Sequence, residues 1–138
     1  NTFRYKNFDF SFFLRGTIGN DILNATRMAY AQSGFLPGTN ALDDPLTYTL
    51  SETPRFSNYY LEKGSFMRLD NLTLGDKIKA LNGIRVYFTA QNLFVITKYK
   101  GLDPEVPMDS GDGLTPGVEP REFYPKARTF SVGLTLNF

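Results

Sequence analysis

The sequence predicts an all-β fold: about four antiparallel strands from the C-terminal part of a large transmembrane β-barrel. Three observations predict it. Apolar and polar residues alternate with period two along several segments, which puts each set on one face of a strand. The connections between those segments are sharply unequal, as they are in outer-membrane barrels. The 138 residues include 13 Phe and 8 Tyr, yet no unbroken apolar run is longer than Leu93-Phe94-Val95-Ile96, far short of the ~20 residues a membrane helix needs. Alternation by itself equally suits a soluble β module with one face on a core.

The first strand is expected over 4–18. Phe8, Phe10, Phe12 and Leu14 occupy even positions, and Asn7, Asp9, Ser11 and Arg15 odd ones, with Phe13 an aromatic on the polar side. A long connection over 19–64 follows, carrying a short helix over Asp21–Gln32 with Asn20 as N-cap and Gly34 as stop. The second strand, 65–78, slips in phase. Met67 and Leu69 are odd whereas Leu72, Leu74 and Ile78 are even. One extra residue does this, so a bulge or strand start is expected at Asp70-Asn71. Asn82-Gly83 marks a tight hairpin over 79–83. The third strand, 84–97, alternates Ile84, Val86, Phe88 and Ala90 with Arg85, Tyr87, Thr89 and Gln91. Breakers fill the second long connection, 98–127. The last strand, 128–138, keeps Phe130, Val132, Leu134, Leu136 and Phe138 in phase to its end. Both long connections fall on one side of this arrangement and the hairpin on the other. The long ones are expected to be extracellular, and 79–83 periplasmic.

Composition excludes most chemistry. With no Cys and no His, thiol nucleophiles, Ser-His-Asp triads and His- or Cys-ligated metals are out. A net charge of +1, from 15 basic and 14 acidic residues, lacks the basic excess of a nucleic-acid binder. No catalytic, cofactor-binding or metal site is expected. Asp109–Gly113 lacks the spacing and closing Glu of a calcium loop. Asn24-Ala25-Thr26 and Asn71-Leu72-Thr73 match a glycosylation pattern by accident. Glu62, Asp103 and Glu105 read as solvated loop charge. The chain opens on Asn1 rather than Met, as a segment of a larger protein would.

In a barrel, Phe8, Phe10, Phe12, Leu14, Ile84, Val86 and Phe88 face lipid, while Arg85, Tyr87, Thr89 and Gln91 face the lumen or brace a plug. Phe130, Val132, Leu134, Leu136 and Phe138 form the terminal strand that barrel assembly reads. Tyr59, Tyr60, Tyr99 and Tyr124 fall near outer strand ends, where interfacial aromatics sit. They are also the loop residues placed to touch substrate or a partner.

Four blocks resemble one family: YLEKGSFMRLDNLTLG (60–75), RVYFTAQNLF (85–94), KYKGLDPEV (98–106) and YPKARTFSVGLTLNF (124–138). In this order they are similar to the C-terminal end of SusC/RagA-type TonB-linked outer-membrane transporters. The match is close in the later part of the chain and one of style in the earlier part. The resemblance implies an outer-membrane location and a single-chain barrel around a plug. It also implies a SusD-like lipoprotein partner, energy drawn from the TonB complex through segments outside this chain, and oligosaccharide or peptide substrates. A siderophore-type receptor would share the alternation but not the KYKGLDPEV and YPKARTF blocks; a soluble β-rich binding module remains the other alternative. One position departs from the pattern. Asp76 stands where the family usually has an aromatic, in phase with lipid-facing Leu74 and Ile78. It is therefore expected at periplasmic headgroup level, where a charge is nearly free.

Overall fold

A computed structural model describes residues 1–34, 36–48, 55–79, 84–106, 117–120 and 124–136. Residues 80–83 of the expected hairpin, the Asp109–Gly113 stretch and Phe138 lie outside the described residues. The chain divides into two units, the first comprising Asn1–Thr17, Phe66–Ile96 and Lys126–Phe138, the second Ile18–Ser65 and Thr97–Pro125.

The first unit is a five-stranded sheet in the order β1-β2-β5-β6-β7. Its strands are β1 (Thr2–Tyr5), β2 (Phe8–Thr17), β5 (Phe66–Ile78), β6 (Ile84–Thr97) and β7 (Thr129–Thr135). The pairs β1–β2, β2–β5 and β6–β7 are antiparallel. The stretch expected as one strand over 4–18 is thus a hairpin, turning at Lys6-Asn7 with Lys6 at φ 55°. The sequence carries the reason. Phe3 and Tyr5 are odd while Phe8, Phe10 and Phe12 are even, so the apolar phase flips at the turn, and Phe3 stacks on Phe10 and Phe12.

The slip in β5 is a bulge. Phe13 pairs with Asn71 and Leu14 with Leu69, which leaves Asp70 without an opposite number. The extra residue returns Leu69 to the face of Leu72 and Leu74. In β6, Asn92 adopts φ 51° just after the last β7 pair, Gln91–Thr129. Asn tolerates this left-handed conformation better than most residues, and its Nδ2 donates to the Ala127 carbonyl at 3.1 Å. The Lys77 amide donates to the Asn7 carbonyl at 3.0 Å. The Lys6-Asn7 turn and the β5–β6 connection therefore share one end of the sheet, and both long connections leave from the other.

In the second unit, β3 (Asp21–Leu23) pairs with β4 (Leu61–Lys63). The helix expected over Asp21–Gln32 begins later, as α1 (Ala25–Tyr30), and its cap is Asn24 rather than Asn20. Both Asn residues are plausible caps in isolation. Pairing of Ile22 and Leu23 with β4 holds 21–23 extended, and Asn24 Oδ1 then accepts the Arg27 amide at 2.8 Å. Met28, Ala31 and Tyr60 form a small core with Leu23 against it. Residues 117–119 add a parallel edge: the Leu23 amide donates to the Gly117 carbonyl, and the Glu119 amide donates back to Leu23.

Candidate functional site

The sheet has two chemically opposite faces, because cross-strand partners share a face. On one, Phe10 opposes Leu74, Phe12 Leu72, Phe88 Val132, Val86 Leu134 and Ala90 Phe130. Phe88 and Phe130 stack at 6.1 Å. The stripe is open: Val132 is 75% exposed, Leu134 65% and Phe8 61%. A soluble module would need to cover it, since each large apolar side chain gains about 1.5–3 kcal/mol on leaving water.

The other face is a lateral lacing. Arg85 donates from Nε to Asp9 Oδ1 at 2.8 Å and from Nη2 to Asp9 Oδ2 at 2.5 Å. This bridge runs from β6 to β2 over the intervening β5, and Gly75, the partner of Asp9, lies beneath it. A Cβ on Gly75 would meet Asp9 Oδ1 at 2.5 Å and Arg85 Nη2 at 2.6 Å. The Arg85 guanidinium also lies 5.1 Å from the Tyr87 ring centroid. Tyr87 in turn lies over Gly133 of β7, where a Cβ would collide with its ring. Side chains here lie along the wall across glycines on the neighbouring strands. Thr73 and Thr89 hydroxyls meet at 3.4 Å, and Arg15 pairs with Asp70 at the bulge. Of the residues expected to line the lumen, Arg85, Tyr87 and Thr89 join this lacing; Gln91 is exposed at its upper edge. Sequence reasoning missed Asp9, Gly75 and Gly133, which only the register brings together.

The lacing predicts a specific coupling. In a D9A/R85A double-mutant cycle on the full-length protein, the interaction energy should be about 1 kcal/mol, the upper range for partly exposed ion pairs. Gly75→Ala should abolish that coupling while leaving both charges present. Urea unfolding of the reconstituted barrel measures it, and an unchanged coupling in Gly75→Ala would refute the geometry.

The second unit is ordered by carboxylates that accept backbone N–H groups. Glu62 accepts the Lys100 amide at 2.9 Å and Asn24 Nδ2 at 3.3 Å, and also meets Arg27. Asp103, 3% exposed, accepts the Glu105 amide at 2.9 Å. Glu119, fully buried, accepts the Leu102 amide at 3.1 Å. Glu62 and Asp103 are therefore structural acceptors and not the solvated charges expected from sequence. Arg27 is anchored by Asp44 at 2.8 Å, and that hydrogen bond raises its already high pKa. Burial, then Glu119, pushes the Tyr99 hydroxyl well above the usual tyrosine range. Tyr99 is folded back over Gly101.

Tyr60 and Tyr99 are buried, so the expected contact role does not suit their side chains. Tyr59 and Tyr124 are exposed. Beside Arg27 a cleft of about 420 Å³ is lined by Asn24, Thr26, Leu42, Lys100 and Leu102. Among the described residues no group of His, Cys, Asp or Glu is arranged to hold a metal ion, and no helix is long and apolar enough to cross a membrane.

No family model matches the sequence. Among curated proteins, the TonB-dependent receptor SusC of Bacteroides thetaiotaomicron is 39% identical over 98% of this chain. TonB-dependent receptor P3 of Formosa agariphila is 33% identical over 100% of it. Similarity therefore extends through the earlier part of the chain as well. Among solved structures, the RagAB peptide transporter superposes with TM-score 0.72 at 26% identity over 95% of the chain. The RagAB importer in its "open-open" state gives 0.65 at 25% identity over 94%. The chain spans only 14% of the length of SusC and 16% of P3 and of the RagAB transporter chain.

Proposed function

Because the chain belongs to the SusC/RagA-type TonB-dependent receptors, we propose that it is the C-terminal part of the barrel wall of an outer-membrane transporter that actively imports oligosaccharides or peptides. Energy comes through the TonB complex, and a SusD-like lipoprotein works at the outer side. The carrying observation is the sheet with one open apolar face and one laced polar face. Lipid tails cannot pair backbone groups, so such a sheet is satisfied only within a closed barrel, of about 22 strands for a plugged transporter. β5 has 13 residues and β6 has 14, more than the ~9–11 that a tilted strand needs to cross.

On this reading Phe8, Phe10, Phe12, Leu14, Ile84, Val86 and Phe88 face lipid, as do Phe130, Val132, Leu134 and Leu136. Arg85, Tyr87 and Thr89 stiffen the inner wall against the plug. The Lys6-Asn7 turn and 79–83 are periplasmic. Residues 18–65 and 98–128 are extracellular, where Tyr59 and Tyr124 are the aromatics open to substrate or lipoprotein. The peptide cargo stated for RagAB favours this class of substrate.

Two measurements on the full-length receptor test the proposal. Spin labels placed singly at 130–135 should alternate in accessibility to oxygen, high at the even positions. Cells should lose uptake of labelled oligosaccharide or peptide when either the receptor or TonB is deleted. Uniform accessibility, or uptake indifferent to TonB, would overturn the reading.

A further inference from the structure

We propose that the concavity on the apolar face, at its short-turn end, seats one phospholipid whose headgroup carries a primary ammonium. The inference rests on the reading that this face meets lipid. The concavity, about 490 Å³, is lined by Phe8, Phe10, Leu74, Val86, Phe88 and Val132, with Asp76 at its edge. Asp76 pairs with Phe8 and so shares the apolar face, two residues before β5 ends. Among the described residues its carboxylate has no hydrogen-bond or ion-pair partner. An anion beside hydrocarbon is costly unless water or a cation reaches it.

The surrounding groups set the level and the complement. Tyr5, opposite Phe8, is 70% exposed on the same face, with Lys6 Nζ 5.3 Å from its ring centroid. A tyrosine and a lysine together mark a membrane–water interface. The site thus presents an apolar trough, the Asp76 carboxylate in its lining, and Lys6 beside it. An acyl chain fits the trough, an ammonium the Asp76 carboxylate and a phosphate the Lys6 ammonium. A primary ammonium donates up to three hydrogen bonds; a quaternary one donates none, and a glycerol headgroup brings no cation.

The test uses the purified full-length receptor, stripped of lipid and offered equal amounts of phosphatidylethanolamine, phosphatidylcholine and phosphatidylglycerol with identical tails. Native mass spectrometry counts the adducts that survive. Phosphatidylethanolamine should be retained about fivefold over phosphatidylglycerol, the ratio one charge pair carries at a membrane surface. Asp76→Asn should flatten the preference, and Asp76→Lys should invert it towards phosphatidylglycerol. Equal retention by the unmodified protein, or a preference unmoved by both substitutions, overturns the seat. The spin label at Val132 separates the two failures. Lipid contact there without headgroup preference removes the seat alone, whereas no lipid contact removes the seat together with the reading beneath it.

Discussion

Replacing Val132 by Arg in the full-length receptor is expected to destabilise the folded barrel by about 2–4 kcal/mol, the range for a cation on the lipid face near the bilayer midplane. Its neighbour Ser131→Arg should change stability by about 0.5 kcal/mol or less, as surface substitutions usually do. The contrast follows from a strand period of two. Val132 opposes Phe88 on the apolar face, and Ser131 opposes Thr89 on the laced face. Val132 also sits in the middle of β7, between Thr129 and Thr135, so its depth leaves an arginine little room to reach water. Unfolding by urea from phospholipid vesicles, followed by loss of the compact band on unheated gels, gives both values. A loss of similar size for the two substitutions would mean that the apolar stripe meets something other than hydrocarbon. A large loss for Ser131→Arg alone would mean that the faces are reversed.

Those faces were legible because periodicity is a local signal. Phe8 to Leu14, Ile84 to Ala90 and Phe130 to Leu136 alternate whatever they pack against, and the phase slip at Asp70 betrays its bulge in the same way. The hairpin at Lys6-Asn7 was harder to see. Lys-Asn lacks the glycine of the Asn-Gly turn signal and puts Lys6 rather than Asn7 at positive φ, and only the odd phase of Phe3 and Tyr5 hinted at it. The strands Asp21–Leu23 and Leu61–Lys63 left no trace, since three residues are too few to show a period and each is held extended by the other.

The polar architecture was illegible for a different reason. Asp9, Gly75 and Arg85 become one unit only when three strands fall into register, and a glycine's value there lies in what crosses above it from other strands. Likewise, Glu62, Asp103 and Glu119 look like ordinary loop carboxylates until the amides of Lys100, Glu105 and Leu102 are brought to them. A buried charge is specified by its partners. In Glu62 and Glu119 those partners lie far away in sequence.

Glu119 is where that hidden architecture should matter most. Its side chain is fully buried, Oε1 accepts the Leu102 amide, and Tyr99 is close enough for the carboxylate to influence its ionisation. Its own amide donates to the Leu23 carbonyl, so one residue ties the KYKGLDPEV segment to the β3–β4 pair. Glu119→Ala leaves the part-buried Leu102 amide without its charged acceptor, at a cost of about 1–3 kcal/mol. Glu119→Gln keeps an acceptor oxygen in the same place and should lose less. Hydrogen exchange through local opening reads this difference as a rate, with ~1.4 kcal/mol corresponding to tenfold. In the full-length receptor, the peptide containing Leu102 should therefore exchange about fivefold to a hundredfold faster in Glu119→Ala, while peptides from Phe66–Ile78 keep their protection. The isosteric variant must fall between the two. Exchange at Leu102 unchanged by Glu119→Ala, or faster in Glu119→Gln than in Glu119→Ala, would show that the carboxylate does not hold this segment and that its burial has another cause.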